Sequence, residues 1–326
     1  MRICFLDGIN ISYNSDDIYS SKIRGAENIL INLSREFSKL NHEVTVLNNC
    51  DKEVEINNIK WRNINKLLSN EHFDIAITNN DIRLLNLIKA NKKIAISHSI
   101  QTIEKFIRKR QLHAYLKNKP KIVILSEYHK LNRNFLLRLY GYIKVNWGVD
   151  AIFINENVEK NQEMNNAIFT SHIDRNLDLL ISIWKKNIFP FNKDKKLLIT
   201  PIERKLDEYN IFNRTFGNKQ NLISDLSKSR MLLIPGHKAE LFCIAAEEAR
   251  ELCVPIVTLG LGCLGERVNH GETGFIAKNE NEFSYYANLL FNDEQIWLKM
   301  RENLIKLRGT KKWENIALDF LGQINE

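Results

Sequence analysis

Short apolar runs separated by polar stretches dominate the first half of the chain. The run at 3–6 is typical of a buried parallel strand. Apolar residues at 29, 33, 37 and 40 repeat with a period near 3.6 and predict a helix that ends at Asn41 and His42. The polar stretch 7–24 before that helix predicts a long loop. Further runs predict strands at 43–47, 74–78, 93–97 and 121–125.

The same alternation begins again after Gly148-Val149-Asp150. Apolar runs predict strands at 166–170, 196–200, 231–234 and 254–258, and a helix over 178–184. Strands that alternate with helices form parallel sheets with crossover helices. We therefore predict an α/β fold with two doubly wound, Rossmann-like domains that face a central cleft. Ligands of such sheets bind at the carboxyl ends of the strands.

Length and composition narrow the class of protein. A chain of 326 residues favours two domains over one core. No apolar run approaches the roughly 18 residues of a membrane-spanning helix, and the apolar start reaches Asp7 too soon for a signal peptide. The five cysteines have no zinc-ligand spacing. They predict reduced thiols in a cytoplasmic protein.

Positive charge favours an anionic partner without choosing its kind. The net charge of +8 suits nucleotides, phosphates, nucleic acids or an acidic membrane surface. The stretch 104–121 is strongly basic with apolar residues between the charges. It could lie on anionic lipid headgroups, or it could be the solvated face of a packed helix. No nucleic-acid-binding motif accompanies it, so we do not expect a nucleic acid partner.

The segment 235–249 carries the most informative chemistry. It follows a predicted strand and opens a predicted helix near Phe242, and the free N–H groups of a helix start suit a phosphate or a sugar oxygen. Glu240 precedes the helix, and Glu248 lies on it. Paired carboxylates suit a ligand with many hydroxyls, because each oxygen can accept one hydrogen bond. Alternatively, both residues are solvated charges.

This Glu-x7-Glu pattern, with Phe242 after the first Glu and Ala249 after the second, resembles the retaining family 4 glycosyltransferases of GT-B fold (glycosyl transferases group 1). The resemblance implies that Glu240 holds the hydroxyls of the donor sugar and that Glu248 binds the ribose of the nucleotide. Leu241 and Cys243 stand where the family usually has glycine, so they are expected, with Phe242, to contact the donor and narrow its pocket.

Other blocks of the chain extend the resemblance. Gly25 matches a glycine turn that lets the backbone approach the donor diphosphate, or it serves the turn alone. Arg175 matches a lysine that holds the diphosphate, or it forms a salt bridge with Asp174 or Asp178. The family's preceding basic residue is missing near Thr170. His172 would replace that residue in part, or it has no role in binding the donor.

Two further features belong to the same comparison. His98 follows the predicted strand 93–97, where many family members carry a histidine that touches the donor sugar. It could instead make only a structural hydrogen bond. The glycine-rich segment 260–265 resembles a loop whose N–H groups cradle an anion, or its glycines form turns only.

The resemblance implies three parts of the chain. These are an acceptor-binding domain (1–150), a nucleotide-sugar donor domain (151–310) and a helix (311–326) that crosses back to the first domain. The loop 7–24 is the expected place for acceptor specificity.

The implied activity is transfer of a hexose from a nucleotide diphosphate sugar to a hydroxyl of a surface glycan or lipid-linked acceptor. No Asp-x-Asp occurs, so we expect catalysis with neither metal nor another cofactor. A cytoplasmic enzyme, peripheral on the inner face of the membrane through 104–121, follows from these expectations. Alternatives are a nucleotide-sugar epimerase or hydrolase of the same fold, and a non-catalytic nucleotide-sugar-binding subunit.

Overall fold

Two compact units make up the chain. The computed structural model describes residues 1–20, 22–66, 71–158, 164–215 and 217–325. Unit 1 contains residues 1–148 and 313–326, and unit 2 contains residues 149–312. In the described ranges, every helix is too short or too polar to cross a membrane.

The strands lie where the short apolar runs predict most of them. In chain order they are β1 Arg2–Asp7, β2 Glu43–Asn48, β3 Val54–Ile56, β4 Ile59–Asn63, β5 His72–Asn79, β6 Lys89–Ile96, β7 Lys121–Ile124, β8 Tyr142–Lys144, β9 Asn166–Ile168, β10 Lys196–Ile199, β11 Ile211–Asn213, β12 Ser229–Leu233, β13 Ile256–Thr258 and β14 Gly274–Ile276.

The helices alternate with the strands, as an α/β fold requires. In chain order they are α1 Gly25–Lys39, α2 Ile103–Arg108, α3 Leu112–Asn118, α4 Glu127–Asn132, α5 Ala151–Ile154, α6 Leu177–Ile183, α7 Lys219–Ser227, α8 Ile244–Glu251, α9 Glu280–Asn292, α10 Glu294–Leu307 and α11 Trp313–Asn325.

Unit 1 is built on an eight-stranded sheet in the order β3-β4-β2-β1-β5-β6-β7-β8. All its neighbouring strands are parallel except β3 and β4. The apolar face of α1 packs Phe37 against Phe5 of β1 and Phe320 of α11, with ring centroids 5.7 and 6.1 Å apart. Trp313 stacks on the buried Trp147. These aromatic contacts anchor α11 in the core of unit 1.

Unit 2 is built on a six-stranded parallel sheet in the order β11-β10-β9-β12-β13-β14. Helices α9 and α10 contribute buried aromatic residues to one core, including Trp297 and Phe283, and α6 contributes buried leucines and isoleucines. A single turn of π-helix, Trp184–Ile188, continues α6 and packs Trp184 against Phe291. The sheet of unit 2 is therefore parallel and that of unit 1 is parallel except for β3, and the predicted α/β class is confirmed.

Some local predictions from the sequence are wrong. The predicted loop 7–24 contains a 3-10 helix, Ser15–Tyr19, and buries Tyr13 and Ile18. The basic stretch 104–121 forms two short helices, α2 and α3, rather than one. Helix α8 begins at Ile244, two residues later than predicted.

Candidate functional site

A charged cluster lies at the carboxyl ends of β9 and β12 in unit 2. Arg175 Nε is 3.2 Å from Glu240 Oε2, and Arg175 Nη1 is 3.3 Å from His237 Nδ1. The Asn176 side chain donates to the carbonyl of Gly236 at 2.5 Å and ties the two loops together. We call Arg175, Glu240 and His237 the arginine–glutamate cluster. It joins the two blocks that the sequence comparison treated separately.

The backbone around Glu240 is held by close packing. The Glu240 carbonyl accepts a hydrogen bond from the N–H of Cys263 at 3.0 Å. Gly262 has a φ of +68°, and a Cβ there would lie 2.4 Å from the His237 carbonyl oxygen and 2.7 Å from that of Glu240. Only glycine fits such a position. The glycine-rich segment 260–265 therefore supports the Glu240 loop directly.

The Glu240 carboxylate has accepting capacity that the protein does not use. Its side chain is 13% exposed, and burial raises its pKa, although Arg175 and His237 oppose the rise. Among the described residues no donor makes a hydrogen bond to Oε2, despite the nearby guanidinium. A buried acceptor without a donor is costly, so a ligand hydroxyl at Oε2 would stabilise the cluster.

Glu248 belongs to a different group of charges. It lies on α8, is half-buried, and burial raises its pKa to about 8. Lys219 and Arg214 lower this pKa, and Asp150 raises it. Lys219 also forms an ion pair with Asp150. The structure therefore surrounds Glu248 with charges that tune its protonation.

The three residues after Glu240 are packed into the protein. Leu241, Phe242 and Cys243 are all buried. The Phe242 ring lies under the Arg267 guanidinium, 4.5 Å from centroid to Cζ, and the Phe242 carbonyl accepts from Arg267 Nε. Their side chains serve packing, which leaves the backbone as the part of this segment able to meet a donor.

Arg175, which follows β9, does not form the salt bridge with Asp174 or Asp178 that the sequence suggested as an alternative. Arg175 pairs with Glu240, whereas Asp178 pairs with Arg204 at 2.8 Å. His172 is well exposed, and its Nδ1 accepts the N–H of Asp174. His172 therefore lies outside the arginine–glutamate cluster.

In unit 1, three side chains form a chain of hydrogen bonds at the ends of β1, β5 and β6. Asn79 Nδ2 donates to Asp7 Oδ2 at 3.1 Å, and Tyr13 Oη donates to the same oxygen at 2.7 Å. His98 Nε2 is 3.1 Å from Asn79 Oδ1. Because that amide oxygen is an acceptor, His98 carries its proton on Nε2, and Nδ1 keeps a lone pair.

Burial lowers the pKa of His98 to about 4, so the imidazole is neutral near pH 7.

Gly25 is the first residue of α1, and a Cβ there would meet no atom within 4 Å. The helix start is thus open at this point. Its N-terminal turn is closed by Glu27, which accepts the N–H of Arg24 at 2.9 Å.

Several residues of these clusters were not singled out from the sequence. His237 lies inside the segment 235–249, so its place in that motif was the available signal. Asn79 directly follows the predicted strand 74–78, where polar residues of α/β sheets gather. Lys219 and Asp150 had no recognisable signal, because they meet Glu248 only through the fold of unit 2.

Comparison with solved structures defines the class of fold. Sucrose-phosphate synthase from Thermosynechococcus elongatus is 13% identical, with 99% of this chain and 98% of that chain covered and a TM-score of 0.70. Anabaena Alr3699/HepE in complex with UDP is 14% identical, with both chains fully covered and a TM-score of 0.69. WaaG, a glycosyltransferase involved in lipopolysaccharide biosynthesis, is 11% identical, with 99% of both chains covered and a TM-score of 0.64. The protein has the GT-B fold.

Part of unit 2 is also similar in sequence to a known family. Residues 192–308 match the model of the family described as glycosyl transferases group 1. This match includes Glu240 and Glu248, but not Arg175 or unit 1. No curated protein matches the chain. The fold and this partial match agree with the resemblance to glycosyl transferases group 1.

Proposed function

We propose that the protein is a retaining, metal-independent hexosyltransferase. It transfers a hexose from a nucleotide diphosphate sugar to a hydroxyl of a surface glycan or lipid-linked acceptor. The arginine–glutamate cluster carries this proposal, because it joins a cation and an unsatisfied carboxylate oxygen beside the group 1 segment.

Arg175 is proposed to hold the donor diphosphate. A guanidinium has five N–H donors, so Nε can keep Glu240 while the Nη groups face phosphate oxygens. Negative charge grows on the diphosphate as the bond to the sugar breaks, and fixed donors aimed at that charge lower the barrier. The N–H groups of the segment 260–265, which packs against the Glu240 loop, are proposed to add to this stabilisation.

Glu240 and Glu248 are proposed to divide the rest of the donor. Glu240 Oε2 accepts a hydrogen bond from a sugar hydroxyl, which supplies the hydrogen-bond donor that the described residues do not provide. Glu248 accepts the ribose hydroxyls, with its full acceptor capacity above its raised pKa of about 8. Lys219 and Arg214 lower that pKa and so extend the ionised form toward neutral pH. The backbone of residues 241–243 contributes the remaining contacts.

A pocket of about 690 Å³ beside the cluster is proposed for the nucleobase. It lies after β9 and β10, and Leu177, Pro201 and Ile202 give it apolar walls. Flat bases suit such walls, with a few polar groups to fix their orientation. Asp178 and Arg204, which line the same pocket, would supply those polar groups.

The acceptor is proposed to bind unit 1. A pocket of about 650 Å³ lies at the ends of β1 and β5, where Asp7 and Asn79 line it. His98 hydrogen-bonds to Asn79 and is proposed to touch the donor sugar from this side. A neutral imidazole with a free Nδ1 can accept a hydroxyl proton or a hydrogen bond.

One observation favours a second candidate, a non-catalytic nucleotide-sugar-binding subunit. Thr170 stands near the family's first diphosphate-binding cation, and the exposed His172 contacts Asp174 instead of the cluster. A weaker grip on the leaving diphosphate would permit binding with little transfer.

The test begins with a thermal-shift screen against UDP-, GDP- and ADP-sugars, because a ligand of the folded state raises the melting temperature. With the donor that binds, we expect transfer to persist in EDTA and the product to keep the anomeric configuration of the donor. Arg175→Ala should lower kcat strongly, whereas Lys228→Ala, an exposed cation of unit 2, should not.

Three outcomes would contradict the proposal. Loss of transfer in EDTA with recovery on adding Mn²⁺ would exclude metal independence. An inverted product would exclude the retaining mechanism. Donor binding without transfer to any acceptor would favour the non-catalytic subunit.

A further inference from the structure

The turn between α2 and α3 presents three consecutive cations, Arg108, Lys109 and Arg110. Arg110 has a φ of +54°, a conformation that L-residues rarely adopt, and its N–H donates to the Ile107 carbonyl at 2.9 Å. We call residues 108–110 the basic turn. Its unusual backbone shows that the turn has a defined shape.

Gln111 fixes this turn to the sheet of unit 1. Gln111 is buried, its N–H donates to the Phe106 carbonyl at 2.8 Å, and its side chain donates to the Asn80 carbonyl at 3.1 Å. Asn80 directly follows β5. The basic turn therefore lies at the carboxyl end of the sheet, where doubly wound sheets bind ligands.

The basic turn forms one wall of the 650 Å³ pocket of unit 1. Three acidic residues also line that pocket, but each already has a partner. Asp7 accepts from Tyr13 and Asn79. Glu27 accepts the N–H of Arg24, and Asp81 forms a 2.6 Å ion pair with Arg83.

The cations of the basic turn have no such compensation. In the described part of the chain, none of the three forms an ion pair, and all three are exposed. Their charges are also crowded. Burial lowers the pKa of nearby Lys105, and Lys109 and Arg108 lower it further. The wall thus carries unpaired positive charge into a polar cavity.

We infer that the acceptor carries an oxyanion, a phosphate or a carboxylate, which the basic turn binds at this pocket. Arginine pairs match such groups bidentately and discriminate strongly against a neutral hydroxyl. The word acceptor rests on the proposed function, whereas the oxyanion site rests only on the pocket and its charges. A concave pocket at the sheet end also suits a discrete anionic group better than a flat lipid surface does.

The test compares two double variants with the same loss of charge. Arg108→Gln/Arg110→Asn removes two cations of the turn, and asparagine tolerates the left-handed backbone at 110. Lys117→Gln/Lys119→Asn is the control. Both lysines are exposed in the same basic stretch, Lys119 also has a positive φ of 49°, and neither lines the pocket.

Binding of glucose 6-phosphate and of glucose is measured by calorimetry. We expect the first variant to weaken glucose 6-phosphate binding by roughly 10- to 100-fold and the control to change it less than about twofold. Glucose binding should stay weak and unchanged throughout. Equal losses in both variants, or none, would overturn the inference, because general charge would then explain any binding.

Two further measurements distinguish a lipid headgroup from an anion bound in the pocket, and the oxyanion site from the proposed function. If the first variant loses binding to phosphatidylglycerol vesicles but keeps glucose 6-phosphate, the pocket site is wrong and the turn contacts lipid. Nucleotide diphosphate binding should be equal in both variants. If no nucleotide sugar binds the wild type, the proposed function fails, while the difference between the variants still decides the oxyanion site.

Discussion

The carboxyl group of Glu248 is half-buried, and burial is the main reason that its pKa is raised to about 8. Such a shift links proton binding to folding. Because the folded pKa lies above the ordinary value near 4.3, the stabilising contribution is complete below that value and is lost as the pH rises through about 8. The ionised form is the less stable one inside the protein.

We therefore expect Glu248→Gln to be more stable than the wild type at pH 9 and close to the wild type at pH 4, below the ordinary pKa of a glutamate. Scanning calorimetry at both pH values measures this difference. Glu302→Gln, an exposed change on α10, is the control and should track the wild type at both. Equal melting temperatures of Glu248→Gln and wild type at pH 9 would show that Glu248 titrates normally.

The two glutamates should also separate in kinetics. Ribose does not change during the reaction, so loss of its contact affects ground and transition states alike. At pH 9, where Glu248 is ionised, Glu248→Ala should weaken nucleotide diphosphate binding by roughly 10- to 100-fold, the effect of one charge-assisted hydrogen bond. Glu240→Gln should lower kcat and leave that binding nearly unchanged. The assignment is wrong if both variants weaken nucleotide binding equally in calorimetry.

At the residue scale, the sequence identified candidate site residues but did not predict which side chains they contact. Glu240 and Glu248 stand in a recognisable spacing. The contact of Arg175 with Glu240 depends on two loops that Asn176 and Gly262 bring together. The sequence instead suggested a salt bridge of Arg175 with the nearby Asp174 or Asp178. Residues that meet in space from distant segments leave no local pattern in the sequence.

Among the elements, the ends of β1, β5 and β6 cooperate through the Asp7–Asn79–His98 chain of hydrogen bonds. Asn79 acts as a positioning residue, since its amide oxygen sets the protonated nitrogen of His98. Its replacement would leave His98 free to exchange tautomers.

Asn79→Leu should give a mixture of His98 tautomers in ¹⁵N NMR spectra, whereas the wild type shows the Nε2–H form alone. It should also lower kcat if His98 acts through Nδ1. Tyr13→Phe is the matched control, because it removes another hydrogen bond to the same Asp7 oxygen and leaves Asn79 in place. A single unchanged tautomer in Asn79→Leu would show that other contacts orient His98.

Strands that lie in a continuous apolar run were predictable from the sequence, and strands without such a run were not. The apolar runs of β1, β2 and β5 are continuous because both faces of these strands are buried. Strands β8, β11 and β14 have three residues each, too few for a period to emerge. The break between α2 and α3 depends on the left-handed backbone at Arg110, a residue type that gives no signal for it.

Over the whole molecule, alternation of strands and helices was enough to predict the α/β class, and the family motifs led to the GT-B fold. The place of α11 in the core of unit 1 depends on Trp313 and Phe320 meeting residues far away in the chain. Charge distribution was the least predictable feature. The basic stretch 104–121 is divided between buried residues, the basic turn and the exposed Ile107 and Leu116.

An exposed apolar surface next to that stretch suits a peripheral membrane contact. Leu131, Phe135 and Leu139 are 72%, 69% and 62% exposed, and Lys130 and Arg138 lie in the same segment. Apolar side chains that enter the headgroup region, with cations attracted to anionic lipids, bind a protein to a membrane surface. We propose that this surface extends the peripheral membrane contact that the sequence predicts for 104–121.

Phe135→Ser/Leu139→Ser should therefore weaken binding to anionic vesicles, by roughly 10- to 100-fold for each inserted side chain lost, since full burial of one contributes about 1.5–3 kcal/mol. Cosedimentation with vesicles rich in phosphatidylglycerol measures the loss. Phe191→Ser is the matched control, because Phe191 is 76% exposed on unit 2 and should not affect binding. Equal effects of both changes would mean that any exposed apolar side chain promotes vesicle binding and that no particular surface of the protein faces the membrane. No effect of either, with binding abolished by salt, would leave electrostatic attraction alone to hold the protein at the membrane.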